Sequence, residues 1–421
     1  MRKFKFVHTA DLHLDSPFLE LQDVSPHIAG KLREATFQTF NRIIELCQDT
    51  GVDFLLIAGD VYDSRDRSLR AQLQFRDSLK RLSDSGIPAF VVHGNHDPLN
   101  SWSASLDWPE QVHVFGGNSV TSTPVVRDGE TIAHVYGTSY PTQDVRKNLT
   151  PKFKRTEKGP FSIGLLHCNV GENTGHESYA PCSLEDLKQT GIDYWALGHV
   201  HTHQILSDEA PAVLYPGNPQ GRNPRELGPR GCYVVDVDGR GHTSFEFVEV
   251  DTVRWFWDSV EIEQLETDEA LIAALESICR RLREDSAGRP TIGRIRITGR
   301  GPLHRSLARP AFVTELLERV RETEGNEDPF VWVERFVIDT RPPIDLEERR
   351  SGQDFVADFL NLVDSYRQDP TRVESLREHL GPLFESGRAH RLLDSPTDDQ
   401  LLQWLEAAEI YCLDVLAPEE E

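Results

Sequence analysis

The chain has no apolar run long enough to cross a bilayer. The longest beside an expected strand is FLLIA, Phe54 to Ala58, against the roughly 20 residues a spanning helix needs. Its opening, MRKFKFVHTADLH, reaches His8 and Asp11 too soon for the apolar core of a secretory signal. Cysteine is sparse: six residues, at 47, 168, 182, 232, 279 and 412, with no C-x-x-C pair. That excludes a zinc ribbon, argues against a disulfide framework and suits reduced thiols. A cytoplasmic protein with no membrane segment is therefore expected. No internal repeat and no long low-complexity tract are found. Basic charge is short as well. Net charge is -24, and all nine lysines fall before residue 189. Such acidity is unusual for a protein that handles nucleic acid. It is unevenly spread, however: residues 251–421 hold 37 acids and 21 arginines, leaving only -8 for residues 1–250. We read it as mostly a solvated surface.

What is present is a globular composition, 38% hydrophobic and 27% charged, over 421 residues, too long for one ordinary core. Up to residue 250, apolar strands alternate with amphipathic helices. KFKFVHTADLHL, VDFLLIAGD and IPAFVVHGNHD read as strands entering loops. Between them, AGKLREATFQTFNRIIELCQDTG and RAQLQFRDSLKRLSDSG have helical spacing. HVYGTSY, FSIGLLHCNVG, IDYWALGHVHTH and AVLYPGNP continue the strands, and a hairpin around Asp238 and Gly239 closes the region. Residues 251–341 form a β-α-β-α-β block, and residues 342–421, after the RPP of 341–343, are helical. Three domains with those bounds are expected.

Five of the strands end in groups that bind metals: Asp11 and His13 in TADLHLD, Asp60 in AGDVYD, Asn95 and His96 in HGNHD, His167 in GLLHCNVG, and His199 and His201 in LGHVHTH. Strand ends at one sheet edge are where α/β folds place their chemistry. Each motif alone is weak; all five in this order are not. Carboxylate, imidazole and amide oxygen together suit Mn, Fe or Zn. Two cations ~3.5–4 Å apart need a bridging carboxylate, and Asp60, directly after its buried strand, is the candidate. Of the three alternating histidines, residues two apart on an extended chain lie about 7 Å apart on one side. His199 and His201 are thus near enough to serve two adjacent metals, and His203 lies a further ~7 Å along.

The set D-x-H, G-D, G-N-H-D, H and G-H-x-H resembles the calcineurin-like metallophosphoesterase superfamily. HTADLHLDSPF, GDVYD, VHGNHDP, ALGHVH and YPGNPQ are most similar to SbcD-type DNA repair exonucleases, in a bacterial YhaO-like branch. The resemblance covers about residues 4–250. It implies an α/β fold, a four-layer αββα sandwich, followed by a small α+β capping domain and a helical C-terminal region. It further implies two divalent metal ions, Mn2+ first and Fe or Zn as alternatives. Asp11, His13, Asp60 and His201 would hold the first, Asp60, Asn95, His167 and His199 the second, with His96 catalytic. Two cations would activate a bridging water as hydroxide for in-line attack on a DNA phosphodiester, His96 assisting. DNA and an SMC-like coiled-coil ATPase are the implied partners, with a homodimer left open. A phosphatase or nucleotide phosphodiesterase of the same superfamily is the alternative, and a non-catalytic DNA-end-binding scaffold a more distant one.

Archaeal and eukaryotic relatives place a second histidine shortly after G-D where this chain has Asp63, as the bacterial SbcD-like pattern commonly does; it is read here as a turn acid. His8, His93 and Cys168 are expected to be structural, and Asp15 to be either a turn acid or a support for the ligands. His176 falls in a Gly-rich loop that could reach substrate. The six basic residues of 146–159 include Lys152, Lys154 and Arg155. They suggest either a solvated loop or a phosphate-backbone contact beside the site. The aromatics of RWFWD are expected in a core rather than stacking on bases.

Overall fold

The uninterrupted β-branched and aromatic runs before residue 250 pair into two stacked sheets. They are seen in a computed structural model that describes residues 1–18, 21, 26–63, 68–155, 160–171, 177–344, 346–385 and 396–416. With elements numbered along the chain, the first sheet has the order β12 (Thr243–Glu249), β11 (Gly231–Val237), β1 (Phe4–Thr9), β2 (Phe54–Ala58), β3 (Ala89–Val92), β4 (Val112–Val114). Strands β1 to β4 are parallel, and the β11–β12 hairpin adds antiparallel to β1. The second sheet runs β5 (Thr121–Arg127), β6 (Glu130–Gly137), β7 (Phe161–His167), β8 (Tyr194–Gly198), β10 (Ala212–Tyr215), β9 (Gln204–Ser207), with β6, β7, β8 and β10 parallel. All catalytically eligible strand ends therefore point to one edge.

Between the sheets lies an aromatic core in which Phe6 stacks on Phe54 at 4.9 Å and meets Tyr194 edge-on at 5.1 Å. Helices α1 (Pro26–Thr50) and α2 (Leu69–Asp84) bury their apolar faces on the outer side of the first sheet. Helical cover on the second sheet is slight. There α3 (Leu184–Lys188) is joined by residues of two loops, among them Tyr140, Leu149, Phe153, Cys168 and Cys182. The fourth layer of the sandwich is thus mostly loop. Strands β4, β5 and β9, which the sequence reading did not mark, are short or polar; β5 carries Pro124 on an edge.

Strands β13 (Arg254–Glu261), β14 (Thr291–Arg300) and β15 (Val331–Arg341) form a third, parallel sheet. One face packs on α4 (Asp268–Asp285), α5 (His304–Leu307) and α6 (Pro310–Glu324). At one end of the other face, Trp255, Ile292 and Trp332 pack against Ile28, Leu32 and Ala35 of α1. The RWFWD aromatics therefore divide: Trp255 is core, while Trp257 is 43% exposed with the guanidinium of Arg296 over its ring. Gln220 locks the junction. Its Oε1 accepts from Thr39 Oγ1 (3.0 Å) and Thr252 N (2.9 Å), and its Nε2 donates to Val253 O (2.6 Å), all buried.

The chain separates into two compact units, 1–341 and 342–421. The second contains α7 (Leu346–Arg350), α8 (Phe355–Gln368), α9 (Pro370–Glu385) and α10 (Asp398–Leu416). Its core is small, with Val356, Leu360 and Leu413 buried. Buried Glu409 is paired with Arg350 (3.0 Å) and Arg367 (2.5 Å). No helix among the described residues is long and apolar enough to cross a membrane.

One buried side chain joins the two sheets directly. His8 Nε2 donates to Leu197 O (3.1 Å), and its Nδ1 accepts from Tyr194 Oη (3.0 Å). Burial pushes its pKa down to about 3 despite the carbonyl contact, which raises it. In the unfolded chain the same ring titrates near an ordinary ~6.5. Between those values the unfolded state holds one more proton, so stability falls as pH drops through the window, by about 1.4 kcal/mol per unit. Urea titrations at pH 6.5 and 4.5 should show the wild type losing roughly 2 kcal/mol more than His8→Asn. Equal losses would mean His8 is not the neutral bridge described.

Candidate metal centre

The site is built where the C-terminal ends of β1, β2, β3, β7 and β8 meet. The two sheets approach so closely there that a Cβ on Gly198 would lie 1.8 Å from Ala58 O. Gly94 allows a second close approach, since its Cβ would fall 2.3 Å from Asp60 Oδ1 and 2.7 Å from His167 Nε2. The ligand loops are strained. Asp11 (φ 52°), His13 (φ 42°), Asp60 (φ 50°) and His199 (φ 105°) all occupy the left-handed region, at a cost of order 1–3 kcal/mol each. Hydrogen bonds between the two loops hold them: Asp11 N to Gly59 O, His13 N to Asp60 O, Leu14 N to Val61 O, at 2.9–3.0 Å. Asp97 pins the third loop, accepting from Val61 N, Gly94 N and His93 Nδ1.

Six of the eight expected metal or catalytic residues fall into three overlapping clusters, and the other two touch one. Asp11, His13 and His201 form the first, Asp11, Asp60 and His167 the second, and His13, Asp63 and His96 the third, each with ligand atoms within 4.8 Å of one another. Asp11 is common to two of them. Asn95 joins the second cluster through its Oδ1, 3.0 Å from His167 Nε2. The eighth, His199, lies beside His167 with ring centroids 5.3 Å apart, and its backbone N–H donates to Asp11. Asp11, His13, Asp60 and His167 are 1% exposed or less.

Burial and mutual charge shift the acids and imidazoles of the site away from their ordinary ranges. Burial raises Asp11 to about 6. His167 rises to about 9: burial opposes this, but Asp60 and Asp11 dominate. Both its nitrogens face acceptors, Nδ1 toward Ala58 O (2.9 Å) and Nε2 toward Asn95 and Asp60 (3.0 and 3.3 Å). In the first cluster, His13 Nδ1 donates to Asp63 (3.0 Å) and His201 Nδ1 to Glu226 (2.7 Å). Their Nε2 atoms then face each other at 3.2 Å. Two ring nitrogens left as acceptors at that distance call for a cation between them. The residues present therefore fit a metal. His96 differs from the other imidazoles: its side chain is 46% exposed, with Nδ1 2.6 Å from Asp63 Oδ1. Burial would lower its pKa, but Asp60 and Asp63 raise it to about 9.

The structure adds residues that the sequence reading missed. Asp63 is more than a turn acid: besides His13 and His96 it accepts from Ser16 Oγ and from Arg222 Nη1 (2.9 Å). Glu226 accepts from both His201 and Arg222 N (2.7 Å). Only the nearness of Arg222 and Glu226 to YPGNPQ could have drawn notice to them. Asp15 serves α2, accepting from Ser68 Oγ and Arg70. His203 packs on Phe247 at 4.2 Å. His176 lies outside the described residues. The basic segment runs away from the site. Arg146 lies near it, its guanidinium 4.7 Å over the Tyr179 ring, which meets the His199 ring at 5.7 Å. Arg155 does not, and the expectation is corrected for that residue. Arg155 is paired with Asp193 (3.1 Å) and bonded to Pro160 O (3.2 Å), at the starting ends of β7 and β8. Lys152 ends a single turn over Thr150–Lys152, and Lys154 is exposed just beyond it. His167 stands at the far end of β7, seven residues or about 20 Å along the strand from Arg155's edge.

This geometry, with clustered Asp, His and Asn donors on strand ends between two sheets, defines a metal-dependent phosphoesterase site, and the chain belongs to the calcineurin-like metallophosphoesterase family. The family's calcineurin-like phosphoesterase description matches residues 4–203, and a second description, the middle domain of metallophosphoesterase YhaO, matches residues 255–341. The chain is 37% identical over 327 residues to the uncharacterized metallophosphoesterase YhaO of Bacillus subtilis, covering 78% of this chain and 79% of that one. It is 26% identical over 255 residues to the DNA double-strand break repair protein Mre11 of Sulfurisphaera tokodaii, covering 59% and 60% of the two chains. The Mre11 of Aeropyrum pernix is 28% identical, with 56% and 58% covered. Among solved structures, a dimetal phosphatase from Danio rerio aligns at 12% identity and a TM-score of 0.36, covering 58% of this chain and 98% of that one. The family fold implies a dinuclear metal site, and the His and Asp clusters described here can bind metal.

Gly94→Ala tests the packing of the site. The added methyl must displace Asp60 or His167, so metal affinity should fall by roughly tenfold or more while the circular dichroism spectrum is kept. Unchanged manganese binding after desalting, read by elemental analysis, would show that the close approach is not needed.

Proposed function

We propose that the protein is a dinuclear-metal phosphodiesterase that hydrolyses DNA, an exonuclease of DNA repair working in the cytoplasm. In this reading Asp11, His13, Asp60 and His201 hold one ion, and Asp60, Asn95, His167 and His199 hold the other. Manganese is the preferred ion for this mixed carboxylate, imidazole and amide set, with Fe or Zn as alternatives. The observation that carries the reading is the pairing of one exposed imidazole, His96, with a set of buried ones. When bound, two divalent cations supply Lewis-acid polarisation of the phosphate and a water acidic enough to attack near neutral pH.

The chain's own groups do the rest. Asp63 holds the proton on His96 Nδ1 and aims the ring, leaving Nε2 to face an arriving phosphodiester and donate to the departing sugar oxygen. Asp60 receives the His96 backbone N–H at 2.9 Å, so the catalytic ring and the shared carboxylate move as one. Likeness to the Mre11 repair proteins supports DNA as substrate. An SMC-like coiled-coil ATPase is the proposed partner. The second unit favours such docking, since Phe355, Leu362, Leu383, Trp404 and Tyr411 expose apolar surface on its helices.

The test uses purified protein with Mn on linear duplex DNA, single-stranded circles and a small phosphodiester, with and without chelator. Cleavage of linear DNA, lost on chelation, is expected. His96→Ala should lower the rate by roughly 10²-fold or more with manganese binding retained. Hydrolysis of the small ester alone would overturn the DNA reading in favour of a small-substrate phosphodiesterase. Cleavage untouched by His96→Ala would remove that residue from the chemistry.

A further inference from the structure

The sheet of β13, β14 and β15 has one face on its own helices, but α1 covers only the first end of the other. Beyond Trp255, Ile292 and Trp332 that second face continues in the open. Side chains two apart along a strand share a side. The register sets them in rows, first Trp257, Arg294 and Arg335, then Ser259, Arg296 and Val337. Glu261 and Asp339 flank Thr298 in the row after, so acids bound the patch at its far end.

Trp257 is exposed, and two guanidinium groups lie over its ring, Arg294 at 5.7 Å and Arg296 at 5.5 Å from the centroid. Both come from β14. Since β13 is an edge strand, no strand of the sheet flanks the indole on its other side. Arg294 is fixed by a buried pair with Glu334 (2.9 Å), which also lies 3.6 Å from Arg335. Arg296 is exposed, and among the described residues no carboxylate pairs with it.

Charge is divided between the two faces of this domain. The central strand β14 carries three arginines and no acid. On the covered face, α4 has five acids against three arginines, and α6 four against two. An exposed indole among arginines matches a chain of nucleotides: a flat apolar surface for a base, with cations for the phosphates on either side. A protein segment would find little to bury here besides Trp257 and Val337. A duplex keeps its base faces stacked inside and could use the arginines alone. The patch is also tied to the metal centre through Trp255. That indole stacks on Phe18 at 6.4 Å, in the loop that follows His13, and lies 3.3 Å from a Cβ placed on Gly221, beside Arg222.

Resting on the DNA reading above, we propose that this open sheet face is a binding platform for single-stranded nucleic acid. One base stacks on the outer side of Trp257, and the phosphates next to it are met by Arg296 and Arg335. An unpaired strand is held there beside the metal centre, which gives the protein a preference for DNA with a single-stranded end.

Fluorescence anisotropy titrations of the full-length chain in chelator test this without reference to cleavage. The probes are a labelled oligothymidine of ~20 nucleotides and a blunt duplex of the same length. Trp257→Ala should weaken single-strand binding roughly tenfold, and Trp257→Phe by no more than about threefold. Arg296→Gln should weaken it too, and lower the slope of log affinity against log salt by about 0.7. Duplex affinity should stay within about threefold in both Trp257 variants. Unchanged thermal midpoints separate these effects from loss of fold. Single-strand binding untouched by Trp257→Ala and Arg296→Gln overturns the platform, as does an equal loss for single strand and duplex. Either result leaves the nuclease reading standing wherever manganese still supports cleavage of linear DNA. A wild-type chain that binds neither probe also overturns the platform, whereas the nuclease reading falls only if linear DNA stays intact with manganese.

Discussion

Carboxylates buried side by side repel one another and give up their hydration, so a fold can keep them only by bringing positive charge to the same place. Asp11 and Asp60 are in that position, each 1% exposed. Much of the sandwich answers to them. His167 reaches between them from the second sheet, which requires the sheets to nearly touch at Gly198 and Ala58. The left-handed turns at Asp11, His13 and Asp60 are tolerated because the β1 and β2 loops hydrogen-bond to each other instead of to solvent. The aromatic core around Phe6, Phe54 and Tyr194 holds the two sheets at the spacing this contact needs.

Those demands explain which parts were legible beforehand. A strand that ends in a ligand leaves a local signature, an apolar run followed by Gly and an acid or His, and Asp11, His13, Asp60, Asn95, His96, His167, His199 and His201 could all be picked out by it. The β-α-β-α-β block was equally plain because its periods are strong and its turns short. Support from distant chain segments leaves no such mark. Asp63 meets Arg222 across 159 positions, and Glu226 meets His201 across 25, in a loop without regular structure. Within the basic segment, Arg155 was misplaced for a reason visible in retrospect. It lies just before β7, whose last residue is His167, so a strand's full length separates the two. Nearness in sequence to a strand's beginning is distance from a site at its end.

The split of RWFWD carries a similar lesson. Alternation along an extended chain sends Trp255 and Trp257 to the same side of β13, yet one is core and the other exposed, because α1 covers only one end of that face. Which aromatic is buried was decided by what packs over each one, not by the strand's own pattern.

Gln220 has a mechanical consequence. It sits two residues before Arg222, and its amide holds together α1, the start of β13's lead-in and the loop that carries Glu226. Rotating the three-stranded domain away from the sandwich would break several buried hydrogen bonds before any surface parted, and would drag on the turn that seats His201. A domain joined in this way resists turning as a separate body, in keeping with its place in one compact unit with the sandwich.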